Sequence, residues 1–240
     1  TKVLENMEIR EAASEALYGL RNDLRWYLRR VSKPDSKTLR EAVETWLNLL
    51  YPFTPHLAEE LWSRLGKDTL LANHPWPQAI EVDEKPLLLE KYLENLVEDT
   101  YQILKAMGKT SITKLRIITA AEWKNKAFKE IIENAQIEPK KVRETITLHG
   151  AALSKEELGK FIGQVVKNIP NITGEYGMVL KQVLDIGERK ILEEARDFLE
   201  REFKCRVELL SEDDIPKEEL EKTSGKKPPA QPGRPVLLIE

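Results

Sequence analysis

A corner bounded by two prolines, Pro52 and Pro55, constrains the fold of this chain more than any other feature of the sequence. Pro52 cannot continue a preceding helix, because it lacks an N–H and its ring clashes with the turn before it. Thr54 precedes a proline and is therefore held extended, which is the backbone conformation of an N-cap. Pro55 then falls at the first position of the next helix, where a missing N–H costs little. The corner predicts two helices joined at a fixed angle.

Apolar residues at helical spacing predict the helices around this corner. Three leucines one turn apart predict a buried stripe after the corner, with Trp62 beside it. They are Leu57, Leu61 and Leu65. Before the corner, Thr38 and Glu41 form a capping-box pattern that predicts the start of a helix. Other helices are predicted over 9–31 and about 87–107. Short loops between such helices predict an antiparallel bundle over residues 1–110.

The pattern changes after Thr110. A short β-branched segment predicts a strand at 114–119, and two further strands are predicted at 205–210 and 235–240, with helices between the three. Strands that alternate with helices predict a small α/β domain over 111–240. A charged segment with prolines and glycines, about 211–234, is predicted to be a linker. The predicted fold class is therefore mainly α, an antiparallel helix bundle followed by a small α/β domain with about three strands.

Composition and motifs exclude several classes of function. One cysteine rules out a disulfide framework and favours an intracellular setting, and no apolar stretch of about 18 residues exists to span a membrane. The three histidines are far apart, so we expect no metal site. Phosphate-binding glycine loops and nucleophile–base patterns are both missing, so we expect no active site in these 240 residues. Because the chain begins without an initiator Met, we expect a fragment of a longer protein.

One short region carries a local excess of positive charge. The net charge is −3, so any attraction for nucleic acid must come from a local patch. Residues 21–40 contain seven basic and two acidic side chains. On a helical wheel, Arg21, Arg25 and Arg29 climb one edge, opposite a stripe of leucines, and Trp26 falls among the cations. The candidate contact residues are Arg21, Arg25, Trp26, Arg29, Arg30 and Lys33.

These residues allow two interpretations. The first is a solvated helix face with a tryptophan that caps the bundle. The second is a ribose–phosphate contact surface, because arginine binds phosphate through two hydrogen bonds and an indole stacks on bases. If four to six phosphates were neutralised, affinity would fall with salt with a log–log slope of roughly −0.7 to −0.9 per phosphate.

The corner sequence from Leu50 to Trp62, with the Pro75-Trp76-Pro77 loop after it, resembles class I aminoacyl-tRNA synthetases. In that family this pair marks the helical anticodon-binding domain of the leucyl, isoleucyl, valyl and methionyl enzymes. Three further segments resemble the archaeal and eukaryotic form of the leucyl enzyme. They are residues 25–30, 117–124 and 232–240.

The resemblance implies a parent enzyme that joins leucine to tRNA(Leu) with ATP. It implies that catalytic and editing domains precede Thr1 in the same polypeptide, and that the enzyme is a cytoplasmic monomer that binds no membrane. Within these 240 residues it implies no cofactor and no catalytic residue. The helical domain would support the corner of the tRNA, with the basic helix on its backbone.

The resemblance also implies that the C-terminal domain binds the long variable arm of tRNA(Leu). Arg234, Ile239 and Glu240 would help to read the tip of that arm, and the linker before them suits a mobile attachment. An ordinary edge strand is the alternative for this tail. Two other functions stay open for the whole chain: the same part of an isoleucyl or valyl enzyme, and a protein-interaction module without RNA binding.

Overall fold

The computed structural model describes residues 2–78, 82–133, 138–150, 155–172, 174–215 and 230–240. The chain divides into two compact units, Thr1–Val82 and Asp83–Glu240. The predicted fold class is confirmed: the chain is mainly helical, with a small three-stranded α/β part. The predicted domain limits, 1–110 and 111–240, stay a prediction, and the helix at 84–106 packs within the second unit.

The described residues of the first unit form helices joined by turns and loops. Its α-helices are α1 (Lys2–Glu5), α2 (Ile9–Ser14), α3 (Leu20–Arg30), α4 (Ser36–Leu50) and α5 (Pro55–Arg64). A π-helical turn, Glu15–Gly19, joins α2 to α3, and a short 3₁₀ turn, Leu71–Asn73, follows α5.

The π-helical turn explains why the predicted helix over 9–31 is not one regular helix. A π turn holds one residue more than an α turn, so the apolar positions before and after it no longer share one face. Leu17 and Leu28 are accordingly 37% and 44% exposed, and α3 buries no residue completely. The indole N–H of Trp46 in α4 donates to the Ala16 carbonyl at 2.6 Å and holds the turn in place.

The caps of α4 and α5 differ from the predicted ones. The N-cap of α4 is Asp35, whose carboxylate accepts from both the backbone N–H and the hydroxyl of Thr38, at 2.7 and 2.8 Å. A carboxylate in this position satisfies a free N–H better than the predicted Thr38 could, because the helix already begins at Ser36. Thr54 is the N-cap of α5 by position, but its hydroxyl donates back to the Leu50 carbonyl at 3.3 Å.

The buried face of α5 is also rotated from the predicted one. Leu57 and Leu61 are 55% and 36% exposed, whereas Ala58 and Trp62 are buried in a cluster with Leu47 of α4. A methyl group at position 58 lets the two helix backbones approach closely, and the larger leucines are left outside. The predicted stripe of Leu57, Leu61 and Leu65 was therefore wrong for Leu57 and Leu61, whereas Leu65 packs against the cluster.

The loop that follows α5 is fixed by two side chains of that helix. The carboxylate of Glu59 accepts from the N–H groups of Leu71 and Ala72, each at 2.9 Å. The indole N–H of Trp62 donates to the Thr69 carbonyl at 2.9 Å, and its ring meets the edge of His74. The conspicuous corner motif thus holds the next loop as well as the angle between two helices.

The second unit places helices around a small sheet. Its helices are α6 (Glu84–Ala106), α7 (Glu122–Glu133), α8 (Pro139–His149), α9 (Lys155–Ile172), α10 (Glu175–Ile186), α11 (Glu188–Glu194) and α12 (Arg196–Phe203). Its strands are β1 (Lys114–Thr119), β2 (Arg206–Ser211) and β3 (Val236–Ile239). Residues 188–203 are divided at Ala195 into α11 and α12, and residues 144–148 lie within α8.

The three strands lie in the order β2-β1-β3. The central strand pairs parallel with β2 and antiparallel with β3, so that Leu115 lies opposite both Val207 and Ile239. Leu115 and Ile117 are completely buried. A second core forms where α7, α8, α9 and α10 meet, around Phe128 and Phe161. The predicted strands are thus present, and the C-terminal one is an edge strand of this sheet.

Candidate nucleic-acid interface

The basic residues of α3 form an exposed ladder along the helix. Arg21, Arg25 and Arg29 follow one another at intervals of one turn, and all three are exposed. At 1.5 Å of rise per residue, the ladder covers about 12 Å of the helix axis. Lys33, just after the helix, is also exposed, while Arg30 is half-buried. The helical geometry therefore presents a run of cations on one edge.

Aromatic rings accompany two of these arginines. The guanidinium of Arg29 lies over the ring of Trp26, 5.5 Å from its centroid, and the guanidinium of Arg21 lies 5.3 Å from the ring centroid of Tyr18. Trp26 is half-buried and sits among cations, outside the buried cluster of this unit. Stacked arginines lose less freedom on binding, because the ring already restricts the guanidinium.

Two basic residues of the same stretch are occupied elsewhere. Arg40 donates to the Leu65 carbonyl at 3.0 Å and so joins α4 to the end of α5. Lys37 lies 3.9 Å from Glu41 across one turn of α4. Arg40 and Lys37 are therefore not counted among the candidate contact residues.

The remaining predicted contact residues belong to the second unit. The Arg234 guanidinium lies over the Tyr176 ring, 4.6 Å from its centroid. Ile239 is half-buried in β3, and the carboxylate of Glu240 lies 3.3 Å from the Arg116 guanidinium. Burial raises the pKa of Tyr176 to about 12 despite the nearby guanidinium, so its hydroxyl stays protonated and donates to the Pro232 carbonyl at 3.1 Å.

The predicted linker is only partly covered by the described residues, because 216–229 lie outside them. The mobile attachment stays a prediction, while the described residues on the C-terminal side of the linker make specific contacts. Ala230 is completely buried, Gln231 and Arg234 pair across a turn, and β3 follows almost at once. Three backbone hydrogen bonds join Glu240 to Thr113 and Lys114 and extend the strand pairing beyond β3.

Three acidic residues with structural importance were missed in the sequence. Glu59 accepts from two backbone N–H groups of the loop after α5. Glu212 pairs with Lys124, and Glu188 lies buried against Tyr92. The partners of these carboxylates lie 12 to 96 positions away, so no local pattern could have shown them.

Across the part of the chain that the structure describes, no group of three histidine, cysteine or acidic side chains is placed to hold a metal ion. Within the same ranges, no helix combines the length and the apolar composition that a membrane crossing requires.

The known proteins that this chain resembles include tRNA ligases and a domain of such enzymes. Residues 1–186 match the family described as the anticodon-binding domain of tRNA ligase. The whole chain aligns with the leucine–tRNA ligase of Pyrococcus abyssi at 32% identity and with that of Methanothrix thermoacetophila at 30% identity. The enzyme of Methanococcus maripaludis strain C7 is 33% identical over 93% of the chain. The chain spans about a quarter of the length of these relatives, 24%, 24% and 21% respectively.

Proposed function

This chain belongs to the family of anticodon-binding domains of tRNA ligases, and from that premise we propose that it is the non-catalytic, tRNA-binding part of a leucyl-tRNA synthetase. Its role is to place tRNA, while chemistry takes place in other domains of the same polypeptide. The leucine–tRNA ligases that align with its full length support this assignment over the isoleucyl and valyl alternatives.

The observation that carries the proposal is the arginine ladder on α3. Guanidinium groups bind phosphate through two parallel hydrogen bonds, and their charge is permanent. Arg29 is already stacked on Trp26, and the indole of Trp26 offers an apolar face beside the cations. A negatively charged chain that bears a local cationic edge suits binding to one face of an RNA rather than general adhesion to nucleic acid.

We assign a second contact to the end of the chain. Arg234, Ile239 and Glu240 lie at or beyond the turn that leads into β3, which is an edge strand. By this proposal they contact the long variable arm of tRNA(Leu), a feature that most other tRNAs lack. The α3 ladder would supply affinity through phosphates, and this end of the chain would supply preference between tRNAs.

We further propose that the parent enzyme uses leucine and ATP and acts as a cytoplasmic monomer. No residue of this chain is proposed to touch leucine or ATP. By holding the body of the tRNA, the chain would place the acceptor end at an active site in a preceding domain. Such placement lowers the barrier because it removes translational and rotational freedom before the reaction begins.

A binding experiment tests this function. The chain is titrated with purified tRNA(Leu) and with a tRNA that has a short variable arm, at several salt concentrations. We expect preference for tRNA(Leu) and a log–log salt slope that corresponds to about four to six phosphates. The double variant Arg25→Glu with Arg29→Glu should weaken binding of both tRNAs and reduce the slope by about two phosphate contacts.

The matched control reverses two other exposed cations of the same unit. Lys37→Glu with Arg64→Glu changes the net charge equally, at residues that pair only with exposed neighbours on their own helices. If both double variants lost the same tRNA affinity, the loss would be explained by net charge alone. That result would contradict the assignment of the α3 surface. Equal affinity for the two tRNAs would contradict the leucyl assignment, and absence of salt-dependent binding would favour a protein-interaction module.

A further inference from the structure

A buried ion pair lies beside the start of the C-terminal segment. The Lys124 ammonium of α7 is 2.6 Å from the Glu212 carboxylate, and the two side chains are only 7% and 8% exposed. Glu212 also accepts from the Ala121 N–H at 3.1 Å, just before α7 begins. Burial lowers the pKa of Lys124, and the charge of Glu212 opposes that shift.

Both members of this pair bind the same peptide backbone. The Lys124 ammonium donates to the Ala230 carbonyl at 2.8 Å, and the other Glu212 oxygen accepts from the Ala230 N–H at 2.9 Å. Ala230 is completely buried. The ion pair therefore acts as a clamp, which we define as Lys124 and Glu212 together with the backbone of Ala230.

The clamp fixes the first residue of the C-terminal segment 230–240. Four residues after Ala230, the Arg234 guanidinium reaches the Tyr176 ring, and Gly233 in between has a positive φ of 71°. A Cβ at Gly233 would lie 3.0 Å from Leu180 Cδ1, so this turn fits closely against α10. Between the clamp and β3, the turn at Gly233 and Arg234 therefore packs against side chains of the second unit.

Stability alone does not account for such a pair. Removing two charges from water is expensive, and apolar residues of similar volume often stabilise a fold as well or better. What apolar side chains cannot do is satisfy the N–H and the carbonyl of a buried peptide. The polar pair is thus matched to the task of holding Ala230.

We propose that Lys124 and Glu212 are positioning residues, which hold residues 230–240 in the place from which they contact tRNA. This inference rests on the proposed function for its RNA partner, but the clamp itself does not. By this proposal, residues 230–240 are not a tail that moves freely on a linker. Their position is fixed by Lys124 of α7 and by Glu212, which follows β2.

The test uses the double variant Lys124→Met with Glu212→Gln, which leaves no unpaired charge in the interior. Hydrogen exchange is followed by mass spectrometry in the peptides that cover 230–240 and 122–133. We expect amide protection of 230–240 to fall about 10- to 100-fold, the effect of losing hydrogen bonds to charged groups, while α7 keeps its protection. Preference for tRNA(Leu) over a short-arm tRNA should fall about tenfold, with little change in salt slope.

The control is the exposed pair on the same helix, Glu122 and Lys126, whose charged atoms are 2.8 Å apart. Glu122→Gln with Lys126→Met should leave both protection and preference unchanged. A folded clamp variant that keeps wild-type protection of 230–240 would overturn the proposal. If the wild-type chain showed no preference between tRNAs, the proposed function would be contradicted. Loss of amide protection in the clamp variant would still support a fixed position for residues 230–240.

Discussion

The hydroxyl of Tyr92 donates a 2.8 Å hydrogen bond to the carboxylate of Glu188, and both side chains are buried. The other oxygen of Glu188 has no hydrogen-bond partner among the described residues. Burial raises the pKa of Glu188 from 4.5 to about 7, although the Tyr92 hydroxyl and the Gly233 N–H favour the charged form. The second unit therefore contains a carboxyl group that titrates near neutrality.

This carboxyl group predicts a pH dependence of stability. A raised pKa means that the folded state binds the proton more tightly than the unfolded chain, so the stabilisation is fully present below about pH 4.5 and is lost as the pH rises through 7. Between pH 4.5 and 8 we expect Glu188 to contribute a loss of about 3 kcal/mol in the free energy of unfolding. Urea denaturation of the wild type and of Glu188→Gln at a series of pH values isolates this contribution. Parallel pH profiles for the two proteins would contradict it.

The two adjacent glutamates of the corner motif should differ in their effect on stability. Glu59 accepts two backbone N–H groups of the following loop, whereas Glu60 forms only an exposed pair with Arg64 at 2.9 Å. We expect Glu59→Ala to lower the free energy of unfolding by about 1–3 kcal/mol, because it leaves backbone donors without acceptors. Glu60→Ala should cost less than about 0.5 kcal/mol. Chemical denaturation measures both, and equal effects would show that Glu59 does not fix the loop.

Positions 57 and 58 test which face of α5 is buried. Ala58 is completely buried, and Leu57 is 55% exposed. Enlarging the smaller residue should therefore be worse than truncating the larger one. We expect Ala58→Val to cost about 1–3 kcal/mol through overpacking, and Leu57→Ala to cost less than about 1 kcal/mol. Thermal unfolding followed by circular dichroism compares the two variants. If Leu57→Ala were the less stable one, Leu57 would be part of the buried face, as the sequence predicted.

Gly233 should tolerate a side chain less well than another glycine of similar backbone conformation. Both Gly233 and Gly66 have positive φ, 71° and 80°, so alanine at either position costs about 1–2 kcal/mol for the backbone alone. Only at Gly233 would the added Cβ also meet Leu180, at 3.0 Å. We expect Gly233→Ala to be the more destabilising variant and to increase hydrogen exchange in 230–240. If Gly66→Ala were equally damaging, the close fit of the turn would be disproved.

The sequence by itself determined where most of the helices and strands of this protein lie. Proline and glycine act on the backbone of their immediate neighbours, so the corner at Pro52 and Pro55 could be read without any knowledge of the fold. The three strands could also be predicted from short segments, of which 114–119 carries the most β-branched residues. The cations of α3 also followed from helical periodicity, because residues four positions apart share one edge of a helix and Arg21, Arg25 and Arg29 are all exposed there.

Only the tertiary structure decided how these elements use their side chains. Whether Ala58 or Leu57 faces the core depends on how closely α4 approaches, and one π turn was enough to shift the apolar face before α3. The positions of the buried carboxylates depended most on the tertiary structure. An ionised group leaves water only where the whole fold supplies donors or a counter-charge, and for Glu212 these come from Lys124, 88 positions away. Such partners are chosen by the energetics of the assembled chain, which no stretch of neighbouring residues contains.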